Sequence, residues 1–403
     1  MKAVVWHGVG DIRLDEVPDP KILEPTDAVV KITRSAICGT DLHLVRGTIP
    51  GMVEGTILGH EAVGVVEAVG PAVRGFTPGD RVVVTSSIAC GACSYCRAGY
   101  FAQCDTANPN GPSAGTCFFG GPEATGPVNG LQAEYARVPY AMTSMVRVPD
   151  AVSDEQAILL SDVFPTAWFG ARLAEVGDGD TVLVLGAGVV GQFAIASAKR
   201  CGAARVIVVD GIASRLDKAR EQNAETVDFN AEDPVAVVRE LTGGIGADRV
   251  IEAVGVDAER PKTGPAAEQV EQWADRFEQE RRQAAPDAAP RGDQWVPGDA
   301  PSLALRWAVQ AVAKAGSIGV IGVYPPGFDG FPIGEALNRN LTLKMGNCHH
   351  RLYLPRLLDL VVSGTVDPTA FITRREEPVD AVSAYESFDR REDGWLKTVL
   401  EVA

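Results

Sequence analysis

A chain of 403 residues is long for a single hydrophobic core, so two domains are the starting expectation. Its 46% hydrophobic and 22% charged residues are ordinary for a globular protein in water. The net charge of -16 argues against nucleic acid and anionic membranes as partners, and no apolar run has the length of a signal peptide or a membrane span, so the cytoplasm is the expected compartment.

Up to Asp150 the sequence is rich in short apolar runs such as Ala28-Val29-Val30-Lys31-Ile32 and Arg81-Val82-Val83-Val84, each bounded by Gly, Pro or Asp. These read as short strands of a mostly antiparallel, barrel-like domain. Within it, Cys38-Gly39-Thr40-Asp41-Leu42-His43 and Gly59-His60-Glu61 place metal-capable side chains beside glycines. Each has a plain alternative, Cys38 as a small buried apolar residue and His60 as a hydrogen-bonded core histidine. A catalytic zinc needs about three protein ligands and an open position, which spacing alone does not establish here.

Cys90, Cys93, Cys96 and Cys104 follow, with two, two and seven residues between them. Four thiolates this close can surround a zinc ion completely, which makes the site structural. An iron–sulfur cluster is the rival, because ferredoxins also begin C-x2-C-x2-C. Their run ends x3-C-P, whereas Asp105 follows Cys104 here. A third reading is four unbound loop thiols. Crowded cysteines in a large chain without an export signal favour metal over disulfides.

After Asp150, helical stretches alternate with buried strands at Val182-Leu183-Val184-Leu185, Val206-Ile207-Val208-Val209, Val250-Ile251 and Ile318-Gly319-Val320-Ile321. That alternation implies a parallel sheet flanked by helices, an α/β domain. The first strand leads into Gly186-Ala187-Gly188-Val189-Val190-Gly191 and then a helix. Gly186 and Gly188 allow a tight turn and close approach to a pyrophosphate, and Gly191 lets helix and strand pack. Asp210 ends the second strand, where a carboxylate accepts from ribose hydroxyls and repels a 2′-phosphate, favouring NAD over NADP. The alternative is a purely structural strand-turn-helix.

Residues 257–301 turn rich in Ala, Pro, Glu, Gln and Arg and read as an insertion carrying one amphipathic helix, with Val270, Trp273, Ala274 and Phe277 at helical spacing. Beyond Gly346 a helix is expected over 355–363, with strand-like sequence to the end. Asn347-Cys348-His349-His350-Arg351 reads as a polar turn rather than a substrate contact. The domains are therefore drawn as 1–154 with 347–403, including a cysteine lobe at 90–104, and 155–346 with the insertion 257–301.

In this order, Cys38-Gly39-Thr40-Asp41, Gly59-His60-Glu61-Ala62-Val63-Gly64 with Gly70, the four-cysteine lobe and the glycine turn resemble the zinc-containing medium-chain alcohol dehydrogenases over nearly the whole chain. The resemblance implies a Rossmann doubly wound parallel sheet domain plus a mostly β, GroES-like barrel catalytic domain. Leu160-Ser161-Asp162-Val163-Phe164-Pro165-Thr166 is similar to the glutathione-independent formaldehyde dehydrogenase subgroup, where an Asp replaces a cysteine ligand. By this resemblance Cys38, His60 and Asp162 are the catalytic zinc ligands, with Glu61 near the metal and Asp41 orienting His60. Thr40 bonds the substrate oxygen and His43 relays its proton. Thr166, Val190, Val254, Val323, Arg215 and Lys397 join Gly186, Gly188, Gly191 and Asp210 around NAD. Gly39 stands where some relatives carry a phosphate-binding Arg. Ser86 is expected near the substrate pocket, with Phe118, Phe119 and the 120–130 loop over its entrance.

The implied activity is hydride transfer between a small alcohol, or a hydrated aldehyde, and NAD, with two zinc ions per chain and a homodimer or homotetramer. The alternatives are an aldehyde dismutase that retains NAD, a polyol dehydrogenase of the same family, a zinc-free reductase, and a non-catalytic relative. In the formaldehyde dehydrogenase-like subgroup a similar insertion shields the adenine end of NAD. The insertion helix must bury its apolar face, against that cofactor or against a neighbouring subunit.

Overall fold

A computed structural model describes residues 1–402. The chain divides into two compact units, one of Met1–Pro165, Asp287–Val296 and the chain from Asn347 on, the other of Thr166–Pro286 and Pro297–Gly346. In chain order the first unit contributes β1 (Lys2–Gly8), β2 (Asp11–Glu16), β3 (Ala28–Ile37), β4 (Ala62–Val69), β5 (Arg81–Val84), β6 (Tyr135–Val138) and β7 (Met145–Arg147). The second holds β8 (Thr181–Leu185), β9 (Arg205–Asp210), β10 (Glu225–Asp228), β11 (Ala247–Glu252), β12 (Val312–Val320) and β13 (Thr342–Met345). Strands β14 (Arg374–Glu376) and β15 (Thr398–Glu401) return to the first unit.

In the first unit β1 and β2 make an antiparallel hairpin, and the larger sheet runs β14-β15-β3-β4-β5-β7 with β6 beside β3. All pairings of the larger sheet are antiparallel except β14 with β15. Inward-facing Val30, Ile32, Val66, Val82, Val84 and Val138 pack with Phe119 and Leu131, each such side chain adding roughly 1.5–3 kcal/mol of burial free energy. The loop role expected for Phe119 is corrected here, since the ring is fully buried in this core.

The second unit is a six-stranded parallel sheet in the order β10-β9-β8-β11-β12-β13. The order reverses direction between β8 and β11, and in open α/β sheets ligands bind at such a switch point, beyond the carboxyl ends of the strands. Gly186, Asp210, Val254 and Val323 all follow or end strands at that edge.

Three details differ from the sequence expectation. The helix Asp154–Ser161 stays with the first unit, beyond the expected break at 154, because the Asp154 carboxylate accepts from Thr33 Oγ1 and Arg81 Nη2, both at 2.6 Å. The helix expected from 355 begins at His350 and carries Pro355 inside it. Proline reads as a helix start, but here it is the sixth helical residue, and the helix runs through it without the bond that an N–H at this position would give to Arg351 O.

The insertion also divides. Its helices Gly264–Val270 and Ala274–Ala284 bury Val270 and Phe277 in the second unit's own core, with Leu303, Trp307 and Ala308. The Arg260 guanidinium lies 5.5 Å from the Phe277 ring centroid and that of Arg306 lies 5.0 Å from Trp273. The apolar face is therefore covered by its own unit and requires neither a cofactor nor a second subunit. Asp287–Val296 packs instead with the first unit. There the Trp295 backbone N–H donates to Asp389 Oδ2 at 2.6 Å, while Asp389 Oδ1 accepts from Arg46 Nε at 2.7 Å.

Candidate metal centres and nucleotide turn

Cys38 directly follows β3 and caps the helix Gly39–Arg46, whose Asp41 carboxylate turns back to accept the Cys38 backbone N–H at 2.9 Å. Gly59 enters the next segment at φ 89°, and a Cβ there would lie 2.4 Å from Gln132 Cγ, so only glycine delivers His60 and Glu61 to this place. Asp162 follows directly on the helix Asp154–Ser161, far along the chain. One donor atom each from Cys38, His60, Glu61 and Asp162 lies within 4.8 Å of all the others.

The individual distances suit zinc. Bond lengths of about 2.0–2.3 Å in a tetrahedron give N–O edges of about 3.4 Å and S–O edges of about 3.6 Å. His60 Nε2 lies 3.2 Å from Asp162 Oδ2, and Cys38 Sγ lies 3.8 Å from the same oxygen. Glu61 Oε2 is buried and accepts no hydrogen bond. Cys38, Asp41, Glu61 and Asp162 set four acidic groups in one buried cluster against the Lys397 ammonium, an imbalance that a cation relieves. Burial alone would lower the His60 pKa, yet the charges of Asp41 and Cys38 and the bond to Asp162 carry it well above the usual imidazole range.

Around the donors lies a second ring of contacts. Asp41 Oδ1 is 3.1 Å from His60 Nδ1, which leaves Nε2 for the metal side. Gln132 Nε2 reaches Asp41 Oδ2 at 3.4 Å, and the Tyr385 hydroxyl donates to Gln132 Oε1 at 2.8 Å. Ser161 Oγ accepts the Ala62 N–H at 3.1 Å and donates to Val84 O. Asp162 Oδ1 meets His350 Nε2 at 2.6 Å, and His350 Nδ1 meets Ser87 Oγ at 3.0 Å.

Several expectations change here. Lys397, expected around NAD, is fully buried with Nζ on Glu61 Oε1 at 2.6 Å and Ile37 O at 3.1 Å, so its charge is committed inside this cluster. His349 and His350 are buried side chains rather than parts of a polar surface turn. Ser86, expected near the substrate pocket, is buried, and its neighbour Ser87 makes the side-chain link to the cluster. Phe118 stands edge-on to His60, with ring centroids 6.3 Å apart. Gln132, Tyr385 and Ser161 carried no local signal, since nothing near them in sequence marks them as more than core polar residues. Thr40 is half-buried and His43 buried three residues further along the helix Gly39–Arg46, the spacing that puts both on one face.

The cysteine lobe brings Cys90, Cys93, Cys96 and Cys104 together, with all four sulfurs within 4.8 Å of one another. Cys90 Sγ and Cys96 Sγ are 4.0 Å apart, and Cys93 Sγ and Cys104 Sγ 3.9 Å, against edges of about 3.8 Å for Zn–S bonds of about 2.3 Å. Backbone N–H groups point at the sulfurs: Ala92 and Cys93 at Cys90, Cys96 at Cys93, and Cys90 and Ala107 at Cys104. Burial pushes the Cys90 thiol up, but hydrogen bonds from the Ala92 N–H, Thr106, the Cys93 N–H and Cys104 together outweigh it and bring its pKa down to about 6. Burial and neighbouring sulfurs raise Cys96. A cation lets all four ionise together. No disulfide forms among the described residues.

In the second unit Gly186 takes φ 88°, and a Cβ on Gly191 would lie 1.9 Å from Gly186 O, so the third glycine is the close-packing one. A Cβ on Gly188 would meet only Arg215 Nη1, at 4.0 Å, leaving its face open to a ligand. Asp210 accepts from Ala187 N at 2.7 Å, Gly211 N at 2.8 Å and Ile212 N at 2.9 Å, clamping the turn at which it ends. Val254 packs under Gly186, its N–H held by Glu252 Oε1 at 2.8 Å, and Val323 O accepts from Val256 N at 3.0 Å. Val190 stands in the first turn of the helix that opens at Val189, and Thr166 lies in the helix Val163–Leu173.

Comparison with known proteins agrees with this arrangement. Residues 24–150 match the alcohol dehydrogenase GroES-like domain and residues 189–261 the zinc-binding dehydrogenase model. The chain is 36% identical, over 100% of both sequences, to an uncharacterized zinc-type alcohol dehydrogenase-like protein of Bacillus subtilis. The solved alcohol dehydrogenase of Thermus sp. ATN1 superposes with a TM-score of 0.81 at 32% identity, covering 100% of both chains. A glutathione-independent formaldehyde dehydrogenase of Pseudomonas aeruginosa is 37% identical over 64% of this chain and 66% of its own length. The chain therefore belongs to the zinc-containing medium-chain alcohol dehydrogenases, oxidoreductases that act on small alcohols or aldehydes.

Proposed function

We propose that the protein oxidises a small alcohol, or reduces the matching aldehyde, with NAD as hydride carrier and two zinc ions per chain. The carrying observation is the buried set Cys38, His60, Glu61 and Asp162, whose donor atoms converge within 4.8 Å. Cys38, His60 and Asp162 would hold one zinc, and Cys90, Cys93, Cys96 and Cys104 the other. When bound, the first zinc polarises the substrate oxygen as a Lewis acid and the nicotinamide ring of NAD accepts the hydride.

The chain's own residues do the rest. Thr40 accepts the proton of the substrate hydroxyl in a hydrogen bond, and His43, on the same helix face, carries it towards solvent. Asp41 fixes the His60 tautomer so that Nε2 stays free for metal. Gly186, Gly188 and Gly191 receive the pyrophosphate, while Thr166, Val190, Val254 and Val323 line the remainder and Arg215 stands beside the adenosine ribose. Asp210, besides clamping the turn, faces the ribose hydroxyls and disfavours a 2′-phosphate.

β13 is an edge strand with Thr342, Lys344 and Met345 exposed, and Ile333 and Leu337 are exposed nearby in sequence. An open edge with apolar neighbours supports assembly with a second copy of the chain. Eight free cysteines, four of them clustered, support a reducing compartment, the cytoplasm.

The test joins metal analysis to steady-state kinetics. Two zinc ions per chain are expected, and a chelator should remove one quickly with loss of alcohol-dependent NADH formation, leaving the lobe ion in place. One ion or none in carefully purified protein refutes the two-site reading. Wild-type enzyme should prefer NAD, and Asp210→Ala should raise the KM for NAD by about 10- to 100-fold, since bonds to a charged group contribute about 1.5–3 kcal/mol. A wild-type preference for NADP would refute the role of Asp210.

A further inference from the structure

Asp162 presents its two carboxylate oxygens to different partners. Oδ2 lies 3.2 Å from His60 Nε2 and 3.8 Å from Cys38 Sγ, and therefore faces the metal position. Oδ1 turns to His350 Nε2 at 2.6 Å, a short contact between two buried side chains. His350 Nδ1 is in turn 3.0 Å from the Ser87 hydroxyl. A neutral imidazole donates from one nitrogen and accepts at the other. Donation from Nε2 to the carboxylate and acceptance at Nδ1 from Ser87 Oγ–H satisfy every atom of this chain.

The three residues come from separate parts of the first unit. Ser87 follows β5, where the Thr85 hydroxyl holds its carbonyl at 2.9 Å. His350 opens the helix His350–Val362. The residue before it, His349, accepts the Ala102 N–H at 3.2 Å through Nδ1, and its ring packs edge-on to Tyr100 at 5.4 Å. Asn347 Nδ2 donates to Thr116 Oγ1 at 2.7 Å. The segment that carries His350 is thus fastened to the cysteine-lobe region on one side and to Asp162 on the other.

A carboxylate, unlike a cysteine thiolate, has a second oxygen. Free to rotate, it can chelate zinc through both oxygens and occupy the position that a substrate needs, because catalytic zinc keeps one of four positions open. A charge-assisted bond to the second oxygen opposes that rotation. We propose that His350, held by Ser87, is a positioning residue that restricts Asp162 to a single-oxygen ligand and so keeps the substrate position on the metal open. This rests on the zinc reading of the Cys38–His60–Asp162 cluster.

The test exchanges the catalytic-site zinc for cobalt(II) and reads two properties that do not depend on turnover: the visible d–d spectrum and the rate of cobalt release to a chelator. Wild type should show the intense bands of four-coordinate cobalt. His350→Ala should shift these to the weaker bands of higher coordination and release the ion about 10- to 100-fold faster, the usual cost of losing a group that orients a ligand. The lobe zinc should stay in place in the same sample. His350→Gln, whose amide can still donate to Asp162, should restore much of the wild-type spectrum. Ser87→Ala should change both readouts in the same direction but less, and it carries the test if His350→Ala does not fold. A wild-type spectrum and release rate in His350→Ala would overturn the positioning role while leaving the metal site standing. No cobalt uptake by wild type at this cluster would overturn the metal reading itself, and the proposal with it.

Discussion

The two four-donor clusters of the first unit are built on opposite plans. The lobe takes all its donors from Cys90 to Cys104 and steadies them with backbone N–H groups of the same loop. The other gathers Cys38, His60, Glu61 and Asp162 from three segments and steadies them with the side chains of Asp41, Lys397 and His350. A local loop can close on a metal by itself, so its donors need only correct spacing. A dispersed site is fixed only when the sheet and helices carrying it have packed. The first plan suits a structural ion, and the second suits a reactive one whose surroundings can be tuned residue by residue.

The largest expected effect tests the dispersed cluster. Asp162→Asn removes a charged donor while keeping its shape, and turnover should fall roughly a thousandfold, the equivalent of about 4 kcal/mol of transition-state stabilisation. Zinc content should drop from two per chain to one, with thermal unfolding little changed. An Asp162→Asn enzyme that keeps both ions and wild-type kcat would erase the distinction drawn between the clusters.

Cys93→Ser probes the local one. A structural zinc can supply about 10–16 kcal/mol to the folding of a small zinc-finger peptide, so losing it should unravel this lobe. Soluble yield and Tm should fall clearly. The folded fraction should keep kcat per remaining zinc within about tenfold of wild type, since no bond in the reaction is made or broken at the lobe. Unchanged Tm alongside a collapse of kcat would reverse the assignment of the two sites.

The smallest effect sharpens how far support extends around the dispersed cluster. Tyr385→Phe deletes a hydroxyl three contacts from His60, through Gln132 and Asp41. Gln132 Oε1 would then be buried without a donor, costing about 1–3 kcal/mol of stability. Urea unfolding should show that loss, while kcat/KM should change by less than about tenfold. A larger loss in kcat/KM than in stability would make Tyr385 part of the apparatus that orients His60.

Much of both sites was legible in the sequence, but not by the same route. The lobe could be read from spacing, and the glycine turn from its place between an apolar strand and a helix. Cys38 and His60 stood out as metal-capable residues beside glycines, but they were joined with Asp162 into one ligand set only through resemblance, since no periodicity links positions so far apart in the chain. Lys397 was misplaced because a lysine alone does not reveal whether it faces a phosphate or a buried carboxylate. His350 looked like part of a polar turn because the partners that bury it, Ser87 and Asp162, lie 263 and 188 residues earlier in the chain. The insertion helix was correctly expected to be amphipathic, but what covers its apolar face is a matter of packing against Leu303, Trp307 and Ala308.

By itself the sequence determined what local chemistry can determine. Alternating and continuous apolar runs set the strands, glycines set the turns that need positive φ or close approach, and four cysteines in one short stretch set a closed metal lobe. Tertiary structure alone decided which charges meet. Lys397 met Glu61 and His350 met Asp162, and Asp389 bound Arg46 and a strap of the insertion. The physical reason is that backbone geometry and hydrophobic spacing act within a few residues. The energy of a buried charge depends instead on every group the fold brings within a few ångströms of it, whatever their separation in sequence.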